Sequence, residues 1–338
     1  MSRLLITGGA GYIGSHSAVV LSKIGHQVVL YDNLSNSSRA VLENLALIVG
    51  QHMSFVKGDV RNTELLASTL ASYSIDAVIH LAGLKAVGES VEKPVEYYAN
   101  NIQGTISLLQ AMQSVQLKTL VFSSSATVYG EPKYLPLDEN HPTGATNPYG
   151  RSKLHIEEML NDVAASDPDW RIACLRYFNP VGAHDSGLIG ENPNGVPNNL
   201  MPYISQVATG RRPCLSVFGG DYPTGDGTGV RDYIHVMDLA EGHAAALSFL
   251  SQTPGWHAIN LGTGQGYSVL DMVRAFENAS GCQVPYQIAA RRAGDVAACY
   301  ANPDKASECL NWRAVRGLDD MCASTWHFQQ SQSSGLTS

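Results

Sequence analysis

The chain has 338 residues, 44% of them apolar and 15% charged, with a formal charge of −8. That is enough apolar material for a sizeable core, as one large α/β unit with an added lobe or as two domains, and it excludes disorder except in the Ser/Gln-rich tail, expected to be flexible over residues 331–338. The acidic balance excludes a general binder of nucleic acid or of acidic membrane, because both reward a basic surface; an anionic small ligand would have to be met by local arginines.

The first predicted strand, Leu4 to Thr7, runs into Thr7-Gly8-Gly9-Ala10-Gly11-Tyr12-Ile13-Gly14. Gly9, Gly11 and Gly14 satisfy one dinucleotide-binding spacing, and Gly8, Gly11 and Gly14 another. Either spacing puts a tight turn at a helix N-terminus, where the backbone can approach a pyrophosphate and unpaired N–H groups favour its charge. Glycine turns between strand and helix are also common for packing reasons, so the motif gains weight from Asp32. This residue ends the second strand, Val28 to Tyr31, where a carboxylate accepts both ribose hydroxyls of NAD and repels the 2′-phosphate of NADP. Asp59, after a third strand over Ser54 to Val56, is equally a loop acid or a residue facing the adenine.

Further strands are predicted at Ala77 to Leu81, Thr119 to Ser123 and Arg171 to Tyr177, alternating with helix-length amphipathic stretches. The alternation predicts an α/β fold, a doubly wound parallel Rossmann sheet with helices on both faces. The strand over Thr119 to Ser123 ends in hydroxyls. Ser123 and Ser125 share one face by the period of two, Ser124 points the other way, and Ser125 lies further out at the ligand-binding edge of the sheet. On the following helix Tyr149 and Lys153 stand at i and i+4, one above the other. A phenol near its reference value of ~10 is a poor base at neutral pH, and the neighbouring cation, aided by the positive nicotinamide ring of NAD, is expected to stabilise the phenolate and lower that value. Tyr149 could then move a hydroxyl proton while Ser125 shares a hydrogen bond with the reacting oxygen. An isolated YxxxK would more often be two surface residues on a helix; Ser125 and the glycine turn change that balance.

From Asn179 to Gly229 the chain turns to Gly, Pro and Asn-rich loops around one predicted helix, Leu200 to Thr209, read as an inserted substrate lobe. A helix is expected over Val236 to Leu250, a strand returning to the main sheet over His257 to Leu261, and the lobe resumes from Ser268. The expected division is a nucleotide-binding domain of residues 1–179, with 230–262 returning to it, and a smaller C-terminal substrate-binding lobe of 180–229 and 263–330. The six scattered cysteines, without a CxxC pair or a secretory segment, point to a reduced cytoplasmic setting, and no run nears the ~18 apolar residues of a membrane span. The eleven histidines show no HxxxH spacing, so no metal is expected; His80 and His155 read as structural, and the pairs Asp138-Glu139 and Glu157-Glu158 as solvated faces.

With these motifs the chain resembles the extended short-chain dehydrogenase/reductase family, and within it the UDP-sugar 4-epimerases. The resemblance runs from Arg3 to about Gln329. It is carried by Leu81 to Ser90, Ser123 to Gly130, Arg176 to Ala183, Pro197 to Pro202 and Gly229 to Val236. It implies a tightly bound NAD regenerated at each turnover, a UDP-sugar substrate, interconversion of UDP-glucose and UDP-galactose through a 4-keto sugar, and a homodimer. It implies that NAD is lined by Gly8, Gly11, Tyr12, Ile13, Gly14, Asp32, Asn33, Ser35, Asn36, Ser37, Asp59, Val60, Leu81, Ala82, Gly83, Lys85, Asn100 and Phe178, together with Ser125, Tyr149 and Lys153 as the catalytic set. For the sugar nucleotide it implies Lys85, Ser125, Tyr149, Asn179, Asn199, Leu200, Ser216, Val217, Phe218, Arg231, Arg292, Asp295 and Cys299. Elementary chemistry agrees at Arg231 and Arg292, whose forked donors suit a pyrophosphate, and at Leu200 on a helix N-terminus.

Some family members carry a tyrosine where this chain has Cys299, and the smaller side chain implies room for N-acetylated UDP-sugars; the plainer reading is a small buried residue. The nearest rival is a nucleotide-sugar 4,6-dehydratase. Related dehydratases place Asp-Glu just after the strand serine, and those positions are Ala126 and Thr127 here. A decarboxylase would need a carboxylate site that no motif supplies. A non-catalytic NAD-binding protein would have no use for the intact Ser125, Tyr149 and Lys153.

Overall fold

The computed structural model describes residues 1–193, 195–292 and 294–334. In chain order the first half runs β1 (Arg3–Thr7), α1 (Tyr12–Lys23), β2 (Gln27–Asp32), α2 (Ala40–Val49), β3 (Ser54–Lys57), α3 (Thr63–Ser72), β4 (Ala77–His80), α4 (Val87–Glu92), α5 (Pro94–Ser114), β5 (Thr119–Ser123), α6 (Pro148–Ser166) and β6 (Arg171–Tyr177). The second half runs β7 (Asn179–Val181), α7 (Leu200–Ala208), β8 (Leu215–Phe218), β9 (Val230–His235), α8 (Val236–Leu250), β10 (Gly255–Leu261), β11 (Gly266–Ser268), α9 (Val269–Ser280), β12 (Tyr286–Ala289), β13 (Ala298–Cys299), α10 (Asp304–Leu310) and α11 (Leu318–Ser334).

Seven strands form a sheet in the order β10-β6-β5-β4-β1-β2-β3, and every neighbouring pair is parallel. Parallel strands need crossovers, and the crossover helices bury both faces, which is why these strands read as near-continuous apolar runs. Leu4, Ile6 and Leu30 enter the core on one face with Val19 and Leu239; Leu5, Val29 and Val78 enter the other with Leu108, Ile156 and Leu160. Helices α1 and α8 pack together, as do α3, α5 and α6. This is the Rossmann-like doubly wound fold expected from the alternation.

The lobe has its own core, in which Met201 and Ile204 of α7 meet Val217, Tyr233, Phe276 and Met321. Strand β9 pairs with β11, β13 and β7, so Val230–His235 lies in this smaller sheet, while α8 and β10 continue to the main one. The buried carboxylate of Asp232 on β9 accepts from Thr263 N, Gly264 N and Ala301 N at 3.0, 3.0 and 3.2 Å, and so ties three segments together. Helix α11 runs on to Ser334 where the sequence predicts a tail from residue 331; residues 335–338 of that tail lie outside the described residues. Among the described residues no helix is long and apolar enough to cross a membrane.

Glu157 of α6 and Arg176 of β6 form an ion pair buried beneath the end of β5, with Nη2 to Oε2 at 2.6 Å and Nε to Oε1 at 3.0 Å. Ser124 also donates to Glu157, and Arg176 donates to Tyr129. Replacing Arg176 by Met strands a charge, so the stability read from the urea midpoint should fall by about 3–5 kcal/mol, and the double change Arg176→Met with Glu157→Leu should recover much of it.

Candidate active site

Between β1 and α1 the glycines leave no room for side chains. A Cβ on Gly14 would sit 2.1 Å from Gly8 O, and one on Gly8, whose φ is +70°, would sit 2.8 Å from Ala82 N. The loop Leu81–Gly83 after β4 therefore lies against the glycine turn, and α1 has Gly11 as its N-cap, so no side chain caps its first N–H groups. Asp32 ends β2 beside this turn, accepting from Ala10 N at 3.1 Å, Leu34 N at 2.7 Å and Ser37 Oγ at 3.2 Å. Asn33 Oδ1 accepts from Ser35 N, and Ser35 and Asn36 are exposed. A cradle that any Cβ would fill, an uncapped helix N-terminus and a carboxylate at the tip of β2 together fit a dinucleotide carrying two free ribose hydroxyls.

The remaining residues of that set are placed less uniformly. Ile13 packs on the core, Val60 is buried between β2 and α5, Asn100 is partly buried, and Phe178 is buried among Ala126, Leu137 and Ala301. Tyr12 donates to Gly182 O at 2.6 Å. Asp59 is clasped by Arg61 at 2.8 and 2.7 Å, which holds its carboxyl down to about 2; in this structure it behaves as the loop acid.

At the end of β5 the three serines take different partners: Ser123 Oγ meets Tyr177 OH, Ser124 donates to Glu157, and Ser125, also buried, accepts from Thr127 N. Asn147 caps α6 through Gly150 N at 2.8 Å, with Pro148 in the first turn, and Tyr149 follows at once. A Cβ on Gly150 would lie 2.9 Å from Thr127 O, so the missing side chain lets α6 press on the short turn after Ser125. Lys153 is buried; its Nζ donates to Ser123 O at 2.7 Å and lies 5.9 Å from the Tyr149 ring centre.

Burial sets the electrostatics of the pair. It pushes the Tyr149 phenol above its ordinary value, opposed only by the Ser125 hydroxyl, and pushes Lys153 down to about 8. Desolvation penalises both charges, and one donor of the ammonium goes to the Ser123 carbonyl. Behind Lys153, His80 is held neutral, pushed down to about 3 by burial, between Thr7 Oγ1 at 2.6 Å and Thr105 Oγ1 at 3.0 Å.

Across the cleft, Asn179 is exposed and Asn199 opens α7, yet its side chain does not cap the helix. Asn199 Nδ2 donates instead to Glu191 Oε1 at 2.6 Å, the same oxygen that accepts from Lys85 Nζ at 2.7 Å. Leu200 is partly buried. On β8, Ser216 and Phe218 share the outer face while the side chain of Val217 lies in the lobe core, leaving only its backbone for a ligand. The Arg292 guanidinium covers the Phe218 ring at 4.8 Å and pairs with Asp295 at 2.9 Å. Arg231 Nη1 donates to Val230 O at 2.8 Å, and Cys299 is its parallel partner across β9 and β13, the thiol pushed up to about 11 by burial.

Sequence reasoning passes over Asn101, Glu191 and Tyr177. Asn101 holds Leu84 through both N and O and bonds Ser152 Oγ at 3.0 Å, which pins the loop after β4 to the helix of Tyr149. An asparagine pair inside a helix, Asn100-Asn101, is the one signal that could have drawn attention to it.

The GDP-mannose 4,6 dehydratase family model matches residues 5–325. The chain is 56% identical over 335 residues to the UDP-glucose 4-epimerase of Bacillus subtilis (strain 168), covering 99% of each, and 56% identical over 341 residues to that of Homo sapiens, covering 99% of this chain and 98% of the other. Among solved structures it is similar to the UDP-glucose-4-epimerase of Stenotrophomonas maltophila with bound NAD and formylated UDP-arabinopyranose, with a TM-score of 0.97, 51% identity and coverage of 99% and 100%. It is also similar to the UDP-Glc/GlcNAc 4-epimerase of Campylobacter jejuni, with a TM-score of 0.85, 34% identity and coverage of 98% and 100%.

Changing Gly14 to Ala puts a methyl group where the Gly8 carbonyl oxygen stands, so the turn must open. The dinucleotide content of the purified protein, measured after heat release, should fall by more than about tenfold in affinity terms, the equivalent of one lost good hydrogen bond or more.

Proposed function

The chain belongs to the UDP-glucose 4-epimerase family of extended short-chain dehydrogenase/reductases, and from that premise we propose how its own residues carry the reaction. It is an NAD-dependent isomerase that interconverts UDP-glucose and UDP-galactose. Bound NAD would supply hydride acceptance from C4 of the sugar and its return to the other face of the 4-keto sugar, with no net consumption of cofactor.

Tyr149 takes the O4 proton and gives it back. Burial leaves it a poor base in the resting protein, and the phenolate would be stabilised by the Lys153 ammonium, 5.9 Å from its ring, together with the positive nicotinamide of a bound NAD. Lys153, anchored on Ser123 O, holds one wall of the pocket, and Ser125 donates to the reacting oxygen or to the phenolate. Arg231 and Arg292 hold the diphosphate, with Leu200 at the start of α7 and Asn199 and Asn179 around the nucleotide. Gripping UDP rather than the hexose leaves the keto sugar free to turn over. In this reading residues 1–179 with the returning helix and strand hold NAD, and the lobe holds the sugar nucleotide.

The observation that carries the assignment is that Ser125, just beyond the carboxyl end of β5, acts on the buried Tyr149 phenol while Lys153 Nζ lies 5.9 Å from the Tyr149 ring centre. Dehydration is disfavoured because Ala126 and Thr127 supply no acid and base. Six free cysteines support a reduced, cytoplasmic setting, and the family suggests a homodimer.

Purified protein without added cofactor should convert UDP-galactose to UDP-glucose, followed by proton NMR, and Tyr149→Phe should lower kcat by about 10²–10⁴. Failure to invert even with NAD supplied sinks the assignment, and a 4-keto-6-deoxy product would replace it by a dehydratase.

A second reading concerns scope. Cys299 of β13 lies opposite Arg231 of β9, an arginine assigned here to the diphosphate, and its small side chain supports acceptance of UDP-N-acetylgalactosamine. Cys299→Tyr should abolish inversion of the N-acetylated sugar while sparing the glucose/galactose activity; retention of both overturns it.

A further inference from the structure

The turn that follows β5 carries a hydroxyl that the reaction scheme above does not use. Thr127 donates to Ser125 Oγ twice, from its backbone N at 3.2 Å and from its own Oγ1 at 3.0 Å. A serine hydroxyl has one proton and two lone pairs. Both lone pairs are therefore engaged from the Thr127 side, and the proton of Ser125 is left for the Tyr149 phenol, on which the Ser125 hydroxyl acts. The contact is braced from behind: Thr127 O and Cβ lie 2.9 and 3.3 Å from where a Cβ on Gly150 would be, so Thr127 is wedged between Ser125 and the residue that follows Tyr149.

We propose that Thr127 is a positioning residue that fixes the polarity of the Thr127–Ser125–Tyr149 hydrogen-bond chain, so that Ser125 can only donate toward the phenol oxygen and never accept from it. A donor-only Ser125 favours the oxygen that carries negative charge, because a charge-assisted hydrogen bond is the stronger one. Were the Thr127 hydroxyl absent, Ser125 would regain a free lone pair, the neutral phenol could donate to it, and the form of Tyr149 that cannot act as base would be stabilised. The inference rests on the acid/base role given to Tyr149 above.

The ionisable groups that act on the Tyr149 phenol or lie beside it are Lys153 on its own helix, Tyr97 on α5 and Tyr177 at the end of β6, with His80 and Glu157 acting on Lys153 from behind. All are untouched by a change of Thr127 to Val, which keeps the shape pressed on Gly150 and removes only the hydroxyl.

The test compares wild type, Thr127→Val and Thr127→Ser as purified holoenzymes. The acid limb of kcat/KM for UDP-galactose should move up by about one pH unit in Thr127→Val, a loss of about tenfold below that limb, and return toward wild type in Thr127→Ser. Melting temperature and dinucleotide content should stay at the wild-type values. Independently of turnover, the tyrosinate absorbance step that Tyr149→Phe abolishes should shift upward in Thr127→Val by a similar amount. A profile that superimposes on wild type, a drop in rate equal at every pH, or a downward shift, which would mean that Ser125 had been donating to Thr127, overturns the proposal. If wild type fails to invert UDP-galactose, the functional reading fails instead, and the tyrosinate titration still decides the role of Thr127.

Discussion

The order of strands reverses between β1 and β4, and the site depends on that reversal. Strand β1 pairs with β2 on one side and β4 on the other, so the connections leaving their carboxyl ends depart toward opposite faces of the sheet. In an open parallel sheet this reversal is where ligands bind. The glycine turn after β1 and the Leu81–Gly83 loop after β4 meet there, and Gly8 lies so close to Ala82 that it has no space for a side chain. The geometry is a consequence of topology first and of side chains second.

What the side chains add is a costly concentration of polar groups. Ser123, Ser124, Ser125, Tyr149, Lys153, Glu157 and Arg176 are all buried near the end of one strand. Most are satisfied by one another: Lys153 by the Ser123 carbonyl, Glu157 by Arg176 and Ser124, Tyr177 by Ser123. Such a network is rigid because each member is held by at least one other, and rigidity keeps the reacting oxygen, the base and the cofactor in fixed relation. The same burial raises the Tyr149 phenol and lowers the Lys153 ammonium, so each is held towards its neutral form.

The lobe is attached by more than loops. Strand β9 follows Gly229 and feeds directly into α8, which packs on α1, and Asp232 on that strand gathers the backbone after β10 and after β13. Glu191 reaches from the lobe to Lys85 of the nucleotide side while holding Asn199. The two parts are thus linked through these hydrogen bonds and through the apolar cluster in which Phe178 meets Ala301 and Cys299.

Much of this was legible in the residue order, because the features concerned are local. Strand and helix periodicity, the glycine turn, the acid at the tip of β2 and the i, i+4 spacing of Tyr149 and Lys153 are set by backbone geometry over a few residues. Features that depend on residues far apart were not legible. The sequence cannot show that Val217 turns into the lobe core while its neighbours face out, that β9 joins the smaller sheet, that Asp59 is taken by Arg61, or that Asn101 and Glu191 brace the loops they touch. Nor can it show the ionisation of Tyr149. Proximity to a lysine is a matter of spacing, whereas desolvation is a sum over everything packed around the phenol, and only the folded chain decides that sum.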